Sequence, residues 1–306
     1  MTLLFELDVP DGDVGYRNLR KGVSQCELAT QRTLEEMWVV YEPYADPNFR
    51  SGFAHDPEAR FWEMFLGCQL VEAGHKLLST KDRLKDGGQP DLCVIDDDRR
   101  IWIEAIVPEV GKAGPDQVRG PKPINEGGGL APAPLRQAQL RITSVLLAKS
   151  KKIAAYLDAG VIAEDEPRLI AIGLGRFGVY VRDDPPLVLS SVFPIGPEVV
   201  TIARDSGKVL RCGFEPSHEI NRSGEAIPRN AFLDRAFASV SGIISSRVSI
   251  GNMSRELRPI SFVHNPVATV ELSKKWGVWD QEFVANDDDQ GWTVTDILAR
   301  ESNNDV

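Results

Sequence analysis

A four-residue polar turn, Asp96–Arg99, lies between two apolar-rich runs, Leu92–Ile95 and Ile101–Val107. That layout specifies a β-hairpin, and closing it about Asp97-Asp98 assigns every cross-strand partner by counting. Val94 meets Ile101, Leu92 meets Ile103, and Asp91 meets Glu104. Directly opposed side chains in an antiparallel ladder lie about 5 Å apart, and like charges placed there destabilise the pair. Two carboxylates kept face to face therefore imply a cation between them. The register depends on the turn, because a three-residue loop would shift it by one and send Asp91 to the other face.

The segments around this hairpin alternate helix and strand. Ser24–Tyr41 has helical spacing (Leu28, Leu34, Met37, Trp38, Tyr41), and the Pro- and Gly-containing stretch Glu42–His55 breaks it. Asp56-Pro57 then starts a helix, with an N-cap acid and proline at the first helical position. Trp62, Phe65, Leu66, Gln69 and Leu70 form its main stripe; it runs to about Glu72, and Gly74 is a C-cap candidate. A short strand follows at His75–Ser79, then a turn at Lys81–Gln89 and the hairpin, which Pro108 ends. Val110–Pro134, with Gly127-Gly128-Gly129 at its centre, is either a functional lid or a disordered insertion. Leu135–Ala159 is the longest helix, closed by Gly160, and Arg168–Gly173 is a buried strand.

Beyond Gly173 the pattern turns β-rich. Strands are expected at Phe177–Val181, Leu187–Val192, Ser239–Ser245 and Pro259–His264, and a helix at Asn230–Ala238. Val199–Ala203 and Lys208–Gly213 flank the hairpin signal Asp205-Ser206-Gly207. The acidic end, Asn286–Val306, is expected to fray in its last residues.

A chain of 306 residues, 42% hydrophobic and 26% charged, can bury a sizeable core. Its formal charge of −10 argues against coating nucleic acid nonspecifically, a mode that needs net phosphate neutralisation, but leaves room for a local basic groove. Cys26, Cys68, Cys93 and Cys212 are widely spaced, which disfavours both structural zinc and a disulfide framework. The N-terminal residues lack a basic region followed by an apolar core, and no stretch is long enough to span a bilayer. A cytoplasmic protein with no membrane partner is expected.

The order αβββαβ carries Glu63 on the first helix, Pro90-Asp91 before the second strand, and Glu104-Ala105-Ile106 on the third. In this it resembles the PD-(D/E)XK superfamily, the restriction-endonuclease-like nucleases. The resemblance covers residues 56–175, and Phe61-Trp62-Glu63 is similar to the first helix of that fold. It implies an α/β core with a mixed sheet flanked by helices, an N-terminal helical extension over 1–55, and a β-rich C-terminal extension over 176–306, all one composite domain. It also implies a metal-dependent phosphodiester hydrolase acting on DNA and less readily on RNA, with a homodimer allowed. Asp91 and Glu104 would hold Mg²⁺ or Mn²⁺, the Ala105 carbonyl could add an oxygen, and Glu63 would assist through water or at a second metal. Mg²⁺ suits such a site because it takes one or two carboxylates and keeps waters and substrate phosphate around it.

Isoleucine at 106 departs from the family pattern, which has lysine there to orient the attacking water. Either catalysis is lost, leaving a nucleic-acid-binding or regulatory module, or another cation has taken over. Lys149 is the best substitute, because it falls within the apolar stripe Ile142, Val145, Leu146, Ile153 and Tyr156 of the long helix. It would either point inward to the Asp91–Glu104 pair or snorkel along the stripe to water. Arg141 and Lys152 lie on a neighbouring face where they could touch phosphate, and Lys112 could reach in from the loop.

Other motifs carry less. Gly173-Leu174-Gly175-Arg176-Phe177-Gly178 has dinucleotide-loop spacing, but no helix pattern follows it to receive a pyrophosphate. Gly111-Lys112 lacks the Ser or Thr of a phosphate loop. His55, His75, His218 and His264 are scattered, Ser217-His218-Glu219 reads as a polar turn, and Asp287-Asp288-Asp289 lacks the glycine and distal glutamate of a calcium loop.

Overall fold

The computed structural model describes residues 2–83, 88–120, 132–178, 185–253, 258–288 and 291–299. Four helices open the chain: α1 (Val14–Lys21), α2 (Gln25–Tyr41), α3 (Phe49–His55) and α4 (Pro57–Glu72). Their starts follow capping chemistry. Asp13 accepts from the Gly15 and Tyr16 amides at the head of α1, Ser24 and Glu27 form a reciprocal capping box on α2, and Asp56 caps α4 with Pro57 at its first position. The Glu42–His55 break is real but short: a 3₁₀ turn, Glu42–Tyr44, then α3, whose Phe49 and Phe53 are buried.

β1 (Lys76–Leu77), α5 (Thr80–Arg83), β2 (Leu92–Asp96) and β3 (Arg99–Ile106) follow, then the 24-residue α6 (Leu135–Asp158) and β4 (Arg168–Gly173). The expected turn at Lys81–Gln89 thus begins as helix α5, because Ser79 caps the Asp82 amide through its hydroxyl. The β2–β3 register is the counted one: Leu92 opposite Ile103 and Val94 opposite Ile101. Asp97 makes the turn with φ +51°, a left-handed conformation that Asp tolerates better than most residues. The hairpin's outer end is braced from far along the chain. Trp276 donates its indole N–H to Asp96 (3.0 Å) and packs its ring on His75, and Arg99 reaches Ser273.

The C-terminal half departs further from expectation. Leu187–Val192 is not a strand; its end is the short helix α7 (Leu189–Val192), started by Pro186 and held by Ser190 and Ser191 hydroxyls on the Leu187 carbonyl. Phe177 ends a 3₁₀ turn, Gly175–Phe177, with Gly178 leaving it at positive φ, and residues 179–181 of the Phe177–Val181 expectation lie outside the described residues, as does Gly127–Gly129. Asn230–Ala238 holds two 3₁₀ turns, Ala231–Leu233 and Arg235–Phe237, instead of one helix. The remaining strands are β5 (Ile195–Ile202), β6 (Val209–Pro216), β7 (Glu219–Arg222), β8 (Glu225–Pro228), β9 (Gly242–Ser246), β10 (Ser261–His264), β11 (Gln281–Asp288) and β12 (Gly291–Asp296). Much of the acidic end is an antiparallel pair, β11 on β12, and the last residues, where fraying was expected, fall at 300–306, outside the described residues.

The main sheet has eight strands in the order β1-β2-β3-β4-β9-β10-β11-β12, and β5-β6 and β7-β8 form separate hairpins. β3, β4 and β9 run parallel while β1, β2 and β3 alternate, so the sheet is mixed. The strand expected at Pro259–His264 forms as β10, inside the sheet between β9 and β11. Alternation along β4 assigns the two faces: Leu169 and Ala171 join the core under α4, and Ile170 and Ile172 join the core under α6. Helices thus cover both sides of a large mixed sheet. No helix among the described residues is long and apolar enough to cross a membrane.

Close approach of α4 to α2 requires glycine at 67. A Cβ there would stand 2.5 Å from the Tyr41 ring. Gly67→Ala is expected to lower stability by about 1–3 kcal/mol through overpacking. Urea unfolding measures it, and an unchanged midpoint would show that the ring can give way.

Candidate functional site

Even-numbered β3 positions face α6, so Trp102, Glu104 and Ile106 share that side. Glu104 is 1% exposed. Two lysines from successive turns of α6 converge on one of its oxygens: Lys149 Nζ and Lys152 Nζ each lie 2.6 Å from Oε1. The other oxygen, Oε2, is buried and has no hydrogen-bond partner among the described residues. Lys149 thus points inward, as the stripe allowed. Lys152, which the sequence placed on a neighbouring face, bends across the Tyr156 ring (5.5 Å) to the same carboxylate. Burial works against the charged form of Lys152, but Glu104 and the hydrogen bond they share outweigh it and raise its pKa.

Asp91 stands one residue before β2, in the position the register sets opposite Glu104. Its Oδ2 accepts the Ala105 amide at 2.7 Å. Burial raises its carboxyl pKa from 3.8 to about 7, and the nearby charges of Glu104 and Glu63 add to the rise, while Lys149 and the Ala105 amide oppose it. The turn that carries Asp91 is pinned at both sides. Arg83, 3% exposed, donates to the carbonyls of Pro90, Asp91 and Tyr44, and the Tyr156 hydroxyl donates to the Gln89 carbonyl (3.0 Å). Gln89 Oε1 is a second buried acceptor with no partner among the described residues.

Glu63 comes from the other side of the sheet, on α4. Its two oxygens are occupied: Oε1 accepts the Tyr41 hydroxyl (2.7 Å) and Oε2 the Arg60 guanidinium (2.8 Å). Burial pushes its pKa up, against the pull of Arg60 and Tyr41. The structure therefore brings Asp91, Glu104 and Lys149 together and keeps Glu63 in a polar network of its own, close enough only for its charge to act on Asp91. Among the described residues, no group of three or more His, Cys, Asp or Glu side chains is arranged to hold a metal ion.

Sequence reasoning missed Arg83, Tyr41 and Arg60, and it aimed Lys152 at phosphate where the structure aims it at Glu104. Tyr41 carried a usable signal, since a tyrosine on a buried stripe needs a partner for its hydroxyl. Arg83 carried none, lying in a polar stretch that reads as solvated turn. At the discounted glycine motif β4 runs into a 3₁₀ turn, with the Leu174 amide on the Ser246 carbonyl and Gly178 at φ +75°; the residues that follow, 179–184, lie outside the described ones.

No family model matches the chain, and no curated protein and no solved structure matches it either.

Proposed function

We propose that this chain is a metal-dependent phosphodiester hydrolase acting on DNA, built on a restriction-endonuclease-like core, with Asp91 and Glu104 as the ligands for Mg²⁺ or Mn²⁺. One observation carries the reading: a buried carboxylate, Glu104, and a half-buried one, Asp91, opposed in the hairpin register, with a helix lysine brought onto Glu104. The order α4, β1, β2, β3, α6, β4, with the one-turn α5 between β1 and β2, in a mixed sheet supports the fold side of it. The donor set fits a hard cation, for it offers two carboxylates, and Glu104 Oε2 has no hydrogen-bond partner among the described residues.

A bound divalent ion would supply charge neutralisation and a template for water and phosphate. The chain's own groups do the rest. The Ala105 amide and Arg83 hold the Asp91 turn in place, so its carboxylate is presented without reorganisation. Lys149 takes the part the Ile106 position lacks: an ammonium beside Glu104, able to donate to the attacking water or to a phosphate oxygen. Glu63 acts at a distance, its carboxylate held by Tyr41 and Arg60.

A second reading, a catalytically degenerate protein of the same fold that binds nucleic acid or regulates a partner, is favoured by one specific feature. Two ammonium groups already neutralise Glu104, and they compete with a cation for it. Calorimetric titration of Mn²⁺ into the parent and into an Asp91→Ala, Glu104→Ala double variant separates the readings. Binding by the parent alone, with cleavage of plasmid DNA, is expected. No heat at millimolar metal would remove the metal site, and metal binding with no cleavage of any DNA or RNA would favour the degenerate form.

A further inference from the structure

North of the carboxylate pair along α6, the fold builds a second charged site. Arg141 lies eleven residues before Lys152, about 16 Å along the axis and on nearly the same face. Ser144, Val145 and Ala148 fill the stripe between them, none of them acidic. At the Arg141 end, the loop after β3 and the β7–β8 hairpin close over the helix and leave a cavity of about 680 Å³. Its charged lining is Lys112, Asp116, Arg141, Arg222 and Glu225.

The cavity is assembled by one arginine. Arg136 donates to Asp116 (2.7 Å), to the Asn221 carbonyl (2.7 Å) and to the Pro115 carbonyl (3.0 Å), which ties helix, loop and hairpin together. Ser223 adds a hydroxyl to Asp116 at 2.6 Å. Asp116 is thereby neutralised, and Lys112, Arg141 and Arg222 face Glu225 with positive charge in excess. Arg141 is also pre-placed. Its guanidinium lies so close beneath Gly111, a residue at φ +91°, that a Cβ there would stand 2.9 Å from Nη1. Its Nε is buried and has no hydrogen-bond partner among the described residues. Two guanidinium forks and an ammonium around one cavity match phosphate oxygens, which accept bidentate pairs.

We infer that this cavity is a phosphate cradle, which grips a backbone phosphate of the DNA strand whose scissile bond is presented to Asp91, Glu104 and Lys149. The inference rests on the nuclease reading for the identity of its ligand. The stripe from Arg141 to Lys152 is then the path of the strand, a local basic track on an acidic protein.

The test is DNA binding without chemistry. Anisotropy of fluorescein-labelled 20-mers, single-stranded and duplex, is followed in EDTA across a salt series. Variants Arg141→Gln with Arg222→Gln, and Lys112→Gln with Arg222→Gln, are compared with the parent. The second changes only exposed side chains and so keeps the fold. Each double variant is expected to bind roughly ten-fold or more weakly, and to lose about one to two units from the slope of log K against log salt. Parental affinity and slope in both variants would overturn the cradle, and so would a parent that binds neither oligomer at low salt. A parent that binds DNA through these residues yet cleaves nothing with Mn²⁺ would keep the cradle and overturn the nuclease reading.

Discussion

Asp91→Asn is expected to abolish metal-dependent cleavage while making the metal-free protein more stable above pH 7. The first half follows from removing one of two ligand carboxylates, a loss on the order of 10³-fold in turnover. The second follows from burial. The folded state raises the Asp91 pKa from 3.8 to about 7, so folding takes up a proton between those values. The stability this contributes is fully present below pH 3.8 and is lost as pH rises to and through 7. Above pH 7 the parent holds a buried anion facing Glu104, at a cost of roughly 2–4 kcal/mol. Asparagine keeps an acceptor for the Ala105 amide and carries no charge, so its advantage should grow across that window and vanish near pH 4. Urea unfolding in chelator at pH 4, 6 and 8 measures it. A parent-like midpoint at pH 8 would mean that Asp91 is not held as a buried anion.

Lys149→Met with Lys152→Met should show the opposite balance. It leaves Glu104, 1% exposed, with neither cation. Removing one side of a buried ion pair costs about 3–5 kcal/mol because the charge left behind has no compensation. Adding Glu104→Gln to the double variant should recover most of that loss, and the set forms a cycle that isolates the coupling. The single variants separate the roles. Lys149 is the more buried of the two, at 16% side-chain exposure against 46% for Lys152. Lys149→Met is therefore expected to carry most of the loss in turnover on plasmid DNA, and unchanged turnover would remove it from the mechanism.

The hairpin and its carboxylate pair were readable in the sequence because a two-residue turn and a period of two leave no freedom in register. α4 and α6 were readable for a similar reason, since caps and a long apolar stripe point to the same element. Lys149 followed from its place in that stripe. Lys152 did not, because the direction of a flexible side chain on a neighbouring face depends on what attracts it, and Glu104 became that attractor only after β3 packed against α6. α7 was misread because a short apolar run such as Leu187–Val192 suits strand or helix equally, and the serine back-bonds that decide it are tertiary detail. β12 was hidden by an acidic end whose pairing with β11 comes from the sheet edge beside it, not from its own composition.

The clasp of Trp276 on Asp96 and His75 has a consequence for how the molecule is made. The hairpin that aligns Asp91 with Glu104 is braced by a residue 180 positions later. During synthesis the carboxylates, the helix lysines and the inner strands emerge first, and the brace arrives only when β10 and the segment after it have left the ribosome. Until then the alignment depends on local strand pairs and on the α4 and α6 packing alone. A chain cut short before Trp276 would carry every residue of the proposed centre without the contact that braces its hairpin, so alignment of the centre waits on a segment made long after it.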